Sequence, residues 1–407
     1  VRIFFFIAIL LCFDIYIFTA IKQLTFASSI EVKWLVYSCY WGLTIFSLSY
    51  FLTYLLFGTD SLGISIVLYW RSIAVISIIS KLPILLIIGI DDIRRFIALA
   101  MNFMNGVDFD TSRSKFIVKT GLAIGTLPFV SLIYGIIRNP YRYKLYKSDV
   151  PIMNLASNLE GLRIVQISDI HSGSFTFKEP IKNAIEMINA QKPDLVFFTG
   201  DLVNSIASEM EPYIDVFNKI QSKYGVYSIL GNHDYGDYFR WPTPAAKEAN
   251  MDRLKAIHRE MGWQLLLNEH KIIKVRDSSL GIIGVENISG KRHFKIYGDM
   301  KKASLNCPDC DVKILLSHDP SHWEEEIIMR YKDIDLTLSG HTHGMQFGIE
   351  IPGFIKFSPI QFVYKKWAGL YKEGNQYLYV NRGLGFLGYP GRVGILPEIT
   401  LLELKNV

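Results

Sequence analysis

Cysteine is scarce in this sequence, with four in 407 residues. Cys12 and Cys39 lie in apolar stretches, and Cys307 and Cys310 form an isolated Cys-Pro-Asp-Cys. A structural zinc site needs a second ligand pair at matching spacing, and the sequence offers none. The pair therefore reads as an ordinary loop, ahead of a local disulfide or redox pair. Charge is also sparse, at 20% of residues with a net +5, and the basic residues are scattered. Without a Lys/Arg run interleaved with aromatics, nucleic acid is not an expected partner. Histidine is missing from the first 170 residues, although nine follow.

Apolar residues are abundant instead. They make up 50% of the chain, and the mean hydropathy of +0.22 points to membrane segments. The length suits two domains. Four apolar spans are expected at residues 3–20, 32–57, 64–90 and 116–137. Each approaches or exceeds the roughly 20 residues that cross a bilayer. A polar connection at 91–115 holds Asp91-Asp92, Arg94-Arg95 and a short amphipathic piece, 96–104. Within the spans, Arg71 is expected to snorkel near one end and Lys81 to pair inside the bundle with Asp14. The expected division is a transmembrane region at 1–137, a linker at 138–158 and a catalytic domain at 159–407.

Strand-like and helix-like runs then alternate. Strands are expected at 162–167, 194–198, 225–230, 280–285, 312–316, 334–338, 376–380 and 398–404, and helices at 178–190 and 209–223. Such alternation predicts a mainly parallel sheet covered on both faces, with ligands gathered beyond the carboxyl ends of its strands. Five polar blocks fall at those ends: Asp169-Ile170-His171, Gly200-Asp201, Gly231-Asn232-His233-Asp234, Ser317-His318-Asp319 and Gly340-His341-Thr342-His343.

The blocks offer oxygen and imidazole ligands without thiolate, a set that suits manganese, iron or zinc. Asp169 and His171 are spaced i, i+2, as are His341 and His343, which in extended backbone turns both side chains the same way. Two divalent ions about 3.5–4 Å apart need a bridging carboxylate and a shared water. Their excess positive charge would attract phosphate and yield hydroxide at neutral pH. His233 stands ready to assist the leaving oxygen, with Asp234 holding its ring in one tautomer.

This ordered set resembles the calcineurin-like metallophosphoesterase superfamily across residues 160–403. The run Asn381-Arg382-Gly383-Leu384-Gly385, with Pro390-Gly391-Arg392 and Pro397-Glu398-Ile399, is similar to its membrane-associated branch with N-terminal spans. The resemblance implies a β-sandwich of mixed sheets flanked by helices, in place of one parallel sheet. It also implies that Asp169, His171 and His343 hold one metal, that Asn232, His318 and His341 hold the other, and that Asp201 bridges them. His233 would face the phosphate, supported by Asp234.

The expected function is a membrane-anchored phosphoesterase acting through metal-bound hydroxide on an ester or pyrophosphate. A lipid-linked substrate fits the anchor, and branch resemblance suggests UDP-2,3-diacylglucosamine. The alternatives are a non-catalytic metal-binding scaffold, or a membrane receptor with a phosphatase-like domain. Arg382 and Arg392, in glycine-rich loops, are candidate phosphate-binding forks. The aromatic stretch 235–241 is a candidate cap over a lipid or sugar, or else a packed loop. His258, His270, His293 and His322 match no block and read as surface or satisfied core residues. Lys22 and Lys33, then Arg94, Arg95, Arg113 and Lys115, place the first and third connections inside, which favours an extracytoplasmic catalytic domain. Arg138, Arg142, Lys144 and Lys147 pull the other way. Residues 112–117 resemble a twin-arginine export signal with Ser114 in place of the second arginine.

Overall fold

The computed structural model describes residues 2–58, 62–105, 111–291, 294–351 and 353–407. The chain divides into two compact units, Val1–Ile137 and Arg138–Val407.

The first unit contains α1 (Arg2–Leu24), α2 (Ile30–Phe57), α3 (Ile64–Asn105) and α4 (Thr111–Arg138). Each includes a stretch long and apolar enough to cross a membrane: Phe4–Leu24, Ile30–Phe57, Ser65–Met101 and Phe116–Arg138. Helix α3 does not stop where the sequence turns polar near residue 90. Its charges pair along the helix instead, Arg94 Nη2 to Asp91 Oδ1 at 2.9 Å and Arg95 Nη1 to Asp92 Oδ1 at 3.2 Å, both at i, i+3 spacing. Such pairs are helix-surface neighbours, so the polar stretch continues the helix. Lys81 Nζ lies 2.5 Å from Asp14 Oδ1 and so has the expected partner. The Tyr40 hydroxyl donates to the same Asp14 oxygen at 2.8 Å.

The second unit is built on two six-stranded sheets. Its strands are β1 (Lys144–Ile152), β2 (Arg163–Ile167), β3 (Leu195–Phe198), β4 (Val226–Ser228), β5 (Gln264–Leu265), β6 (Glu269–Val275) and β7 (Ser278–Gly284), followed by β8 (Val312–Leu316), β9 (Leu336–Ser339), β10 (Ile349–Ile351), β11 (Ile355–Phe357), β12 (Gly369–Glu373), β13 (Gln376–Val380) and β14 (Glu398–Asn406). One sheet runs β1-β14-β2-β3-β4-β5, the other β12-β13-β9-β8-β7-β6, and β10 and β11 form a separate hairpin. Parallel and antiparallel pairs mix in both large sheets: β2 to β5 and β7 to β9 are parallel, whereas β14 with β2 and β6 with β7 are antiparallel. Ile164, Phe197 and Tyr227 of the first sheet share one buried cluster with Ile282, Ile314 and Leu338 of the second. The sheets therefore pack face to face, as in a sandwich, and not as one parallel sheet. On the far side of the second sheet, Leu315 and Val380 are buried with Met300, Trp323 and Ile327.

Several elements depart from the sequence reading. Residues 144–152, within the expected linker, form β1, paired in parallel with β14. The helix expected over 209–223 is broken into short turns, Ala207–Glu209, Glu211–Tyr213 and Ile214–Phe217. Pro212 lies among them and removes a helical donor. An unexpected helix, Pro244–Glu260, starts where Thr243 accepts a hydrogen bond from the Ala246 N–H at 3.1 Å. This is an ordinary N-cap, with proline at the first helical position. Cys307 and Cys310 are free thiols.

Candidate metal site

All five polar blocks leave the carboxyl ends of parallel strands. Asp169 and His171 follow β2, Asp201 follows β3, and Asn232, His233 and Asp234 follow β4 in the first sheet. His318 follows β8, and His341 and His343 follow β9, in the second. The convergence of side chains does not come from extended backbone. Asp169, His171, Asp201, His341 and His343 have φ of 51°, 46°, 60°, 71° and 50°. Left-handed conformations cost of order 1–3 kcal/mol each in non-glycine residues, and they concentrate where function requires them. Two glycines make room. A Cβ on Gly340 would lie 1.9 Å from Ser168 Oγ and 2.2 Å from Asp169 Oδ2, and one on Gly231 would lie 2.3 Å from Asp201 Oδ1.

Two ligand groups result. The donor atoms of Asp169, His171 and His343 lie within 4.8 Å of one another, as do those of Asp201, His318 and His341. His171 Nε2 and His343 Nε2 face each other at 3.1 Å, and His343 Nε2 is 3.3 Å from Asp169 Oδ1. Asp201 Oδ2 reaches both groups, at 3.1 Å from His318 Nε2 and 3.5 Å from His171 Nε2. Asn232 Oδ1 is buried and has no hydrogen-bond partner, while its Nδ2 donates to the Tyr238 hydroxyl at 3.0 Å. A buried acceptor without a donor is costly in protein alone and suits a cation. The residues present therefore fit a pair of divalent ions.

Neighbouring groups fix the imidazoles. His318 Nδ1 lies 2.7 Å from the Thr199 carbonyl oxygen, which can only accept, so Nδ1 donates and Nε2 points at Asp201. His341 Nε2 lies 2.9 Å from the Tyr364 hydroxyl, which donates to Asp319 Oδ2 at 3.1 Å. The Tyr364 oxygen thus accepts from His341 Nε2–H, leaving the Nδ1 lone pair 3.3 Å from His318 Nε2. Asp319 is itself held by Ser289 Oγ at 2.5 Å and by the Ser321 N–H at 2.8 Å. Such outer partners orient ligands in metal sites.

Burial dominates the electrostatics. It pushes His171 down to about 3 and His341 to about 4, and holds His343 well below the usual imidazole range. Neutral rings keep their lone pairs available at neutral pH. Burial also raises Asp169 to about 7, against the pull of His318. His318 is the exception. Burial opposes its charge, but the Asp201 carboxylate outweighs that and lifts it to about 10.

His233 and Asp234 are both at the site, but not in the expected relation. The His233 N–H donates to Asp201 Oδ1 at 2.8 Å, and its Nδ1 donates to the Asn204 carbonyl at 2.8 Å. Asn204, and not Asp234, sets this tautomer. Asp234 accepts from the backbone N–H groups of Asp201 at 2.9 Å, Gly231 at 2.8 Å and Leu202 at 2.8 Å, so it braces the ligand loops.

The two arginines expected at the phosphate are committed elsewhere. Arg392 is fully buried, and it donates to the carbonyls of Arg382 at 2.9 Å and Gly383 at 3.1 Å and, through Nε, of Gly385 at 3.1 Å. Arg382 pairs with Glu398 and Glu350, each at 2.5 Å. Both close loops behind the ligands.

A cavity of about 300 Å³ opens over the site. Asp201, Asn232, His233, His341 and His343 line its polar side, and Phe294, Ile360, Val363 and Leu387 its apolar side. Sequence reasoning gave no role to Asn204, Asp319 or Tyr364. Asp319 stood inside a recognised block, whereas Tyr364 carries no local signal. Tyr238, from the aromatic stretch, lies with its ring 4.5 Å from that of His233. His258, His270 and His322 belong to neither ligand group and bond to Ser228 at 3.0 Å, the Ala303 carbonyl at 2.9 Å and Ser317 at 2.8 Å, while His258 Nε2 is buried without a partner. His293 lies outside the described residues.

Mixed sheets that bring His, Asp and Asn side chains together at converging strand ends define an α/β domain suited to metal, here with four membrane-type helices among the described residues. Residues 162–345 match the family described as calcineurin-like phosphoesterase, and residues 1–140 match one described as probable calcineurin-like phosphoesterase, transmembrane domain. A metallophosphoesterase of Campylobacter jejuni is 30% identical over 283 residues, covering 68% of this chain and 67% of that one. One of Bacillus subtilis is 29% identical, covering 67% and 90%. A transmembrane protein with metallophosphoesterase domain from Danio rerio is 29% identical over 68% of this chain, which spans 61% of that relative's length. The chain belongs to the calcineurin-like metallophosphoesterases.

Proposed function

We propose that the protein is a membrane-anchored hydrolase of phosphate esters or anhydrides that works with two divalent ions. The observation that carries this reading is the position of Asp201, whose one carboxylate oxygen faces both ligand groups. Asp169, His171 and His343 would hold one ion and Asn232, His318 and His341 the other, with Asp201 shared and manganese, iron or zinc suited to the donor set. Such a pair supplies Lewis acidity toward phosphate oxygens and an acidified water nucleophile.

The protein's own residues supply the rest. Asn232 and His233 adjoin on the cavity wall, so a phosphate bound beside one is within reach of the other. With Nδ1 committed to the Asn204 carbonyl, His233 has Nε2 for proton transfer to a leaving oxygen. Asp234 and Tyr364 keep ligand loops and rings in register, and the burial of the site limits competing water.

The apolar side of the cavity supports a substrate whose phosphate sits on an apolar carrier. Lipid-linked phosphates are that class, and UDP-2,3-diacylglucosamine is one compound to include in a screen. The basic residues of the connections support an extracytoplasmic domain. Cysteine labelling of intact cells tests that side: modification only after lysis refutes it. The function itself is tested by assaying purified, manganese-supplemented protein against phosphomonoesters, phosphodiesters and lipid pyrophosphates. Hydrolysis of one class that disappears in Asn232→Ala supports the reading, and identical rates in the wild type and this variant reject it.

A further inference from the structure

The hairpin of β10 and β11 is inside out. Its register pairs Ile349 with Phe357 and Ile351 with Ile355, so these four side chains share one face, and all four are exposed. Glu350 pairs with Lys356 on the other face, and the charged ends of both are anchored to the domain. Glu350 Oε1 accepts from Arg382 at 2.5 Å, and Oε2 accepts from the Tyr146 hydroxyl at 3.4 Å. The Lys356 ammonium donates to the Ala368 carbonyl and sits 5.2 Å from the ring centres of Trp367 and Tyr371. The base is fastened too, by Gly348 N–H to the Val393 carbonyl at 2.9 Å and by Ser358 Oγ to the Gly344 carbonyl at 2.8 Å. A two-stranded hairpin at a water surface is expected to do the reverse, burying apolar side chains and exposing charge. Phe354 at the turn is 86% exposed, and Phe362 just beyond is 80% exposed. The polar anchors prevent the apolar face from rolling inward. A contiguous apolar surface of this kind marks an interaction site.

We infer that this face docks into the surface of a lipid bilayer. The occupant follows from three observations. The same chain carries four helices long and apolar enough to cross a membrane, so lipid is its constant neighbour. The segment's one acidic side chain over 345–367, Glu350, is committed to Arg382, while Lys365 is exposed beside Phe362 and Val363, complementing anionic headgroups. The tip is aromatic and aliphatic, the composition that partitions into the interface. Ile360 and Val363, from the same segment, line the cavity over the ligands. On the reading given under Proposed function, docking would present that cavity to phosphates carried on membrane lipids.

The test uses the full chain in vesicles of phosphatidylcholine and phosphatidylglycerol, with or without acyl-chain bromine. A polarity-sensitive fluorescent amino acid is placed at position 354, at 362 or, as a control, at the exposed position 309. Docking predicts that brominated lipid quenches emission several-fold at 354 and 362 and leaves 309 unchanged. Equal emission in both vesicle types at 354 and 362, or equal quenching at all three positions, overturns it. A photocrosslinker at 354 that joins two copies of the chain and captures no lipid overturns it in favour of self-association. None of these readouts needs hydrolysis. Quenching in a chain that hydrolyses nothing would retain the docking surface and reject the hydrolase, and the opposite pair of results would do the converse.

Discussion

His171 Nε2 and His343 Nε2 stand 3.1 Å apart, on loops from different sheets of the sandwich. Burial holds both rings neutral at neutral pH, so they can share one proton in an N–H···N bond or, with both Nε2 lone pairs free, hold a cation between them. The Asp201 carboxylate ties this pair to the second group.

Replacing that carboxylate should therefore empty both positions together. Asp201→Ala is expected to lower bound metal by more than a single-ion ligand change such as Asp169→Ala, and to abolish hydrolysis. Elemental analysis of the purified variants checks this. Full occupancy in Asp201→Ala rejects the bridging position.

His233 should matter to proton transfer and not to metal content. His233→Gln is expected to reduce turnover by about 10²–10⁴-fold on substrates with poor leaving groups. The loss should shrink for a nitrophenyl ester, whose leaving oxygen needs no proton. A uniform loss across leaving groups, or a fall in metal content, would contradict the role.

Arg392 should behave as a loop brace. Its guanidinium serves the backbone carbonyls of Arg382, Gly383, Gly385 and, at 3.5 Å, Leu396, and lies 3.4 Å from His343 Nδ1, a fork that lysine cannot match. Arg392→Lys is expected to destabilise the domain by about 2–4 kcal/mol through unsatisfied buried carbonyls. The melting temperature should fall while KM of the remaining active fraction holds. A raised KM at unchanged stability would instead return Arg392 to the phosphate.

His258 should make the domain acid-sensitive. Burial against Phe198 and Trp263 pushes it down to about 3. In the unfolded chain it titrates near 6.5. The unfolded state therefore takes up a proton first as pH falls, so stability is full above about 6.5 and declines toward 3, by a few kcal/mol in all. Melting curves at pH 7 and pH 5 should differ less for His258→Leu than for wild type. Equal differences would remove His258 from the account.

The gathering of the polar blocks was legible because candidate metal ligands are particular residue types at particular strand ends, and β2, β3, β8 and β9 announce those ends by apolar runs. How the blocks converge was not legible. The i, i+2 spacing suggested extended backbone, whereas left-handed turns at Asp169, His171, His341 and His343 perform the convergence. An arginine that closes a loop and one that grips phosphate look alike in a glycine-rich stretch, so Arg382 and Arg392 were misplaced. Asp234 was assigned to its neighbour's ring, yet its acceptors serve N–H groups some thirty residues away in sequence. Strand β1 was hidden because Lys144, Lys147 and Asp149 interrupt its apolar pattern, and its partner lies at the far end of the domain.

That partnership has a bearing on how the protein is made. Strand β14 sits between β1 and β2, joined to Lys144 through Glu398 and to Arg163 through Glu403. The first strands of the domain to leave the ribosome must wait, with one edge unpaired, for the last. Such long-range closure slows folding and exposes intermediates to aggregation. Synthesis arrested shortly before residue 398 would leave β1 unpaired, and the nascent domain should remain protease-sensitive until β14 emerges.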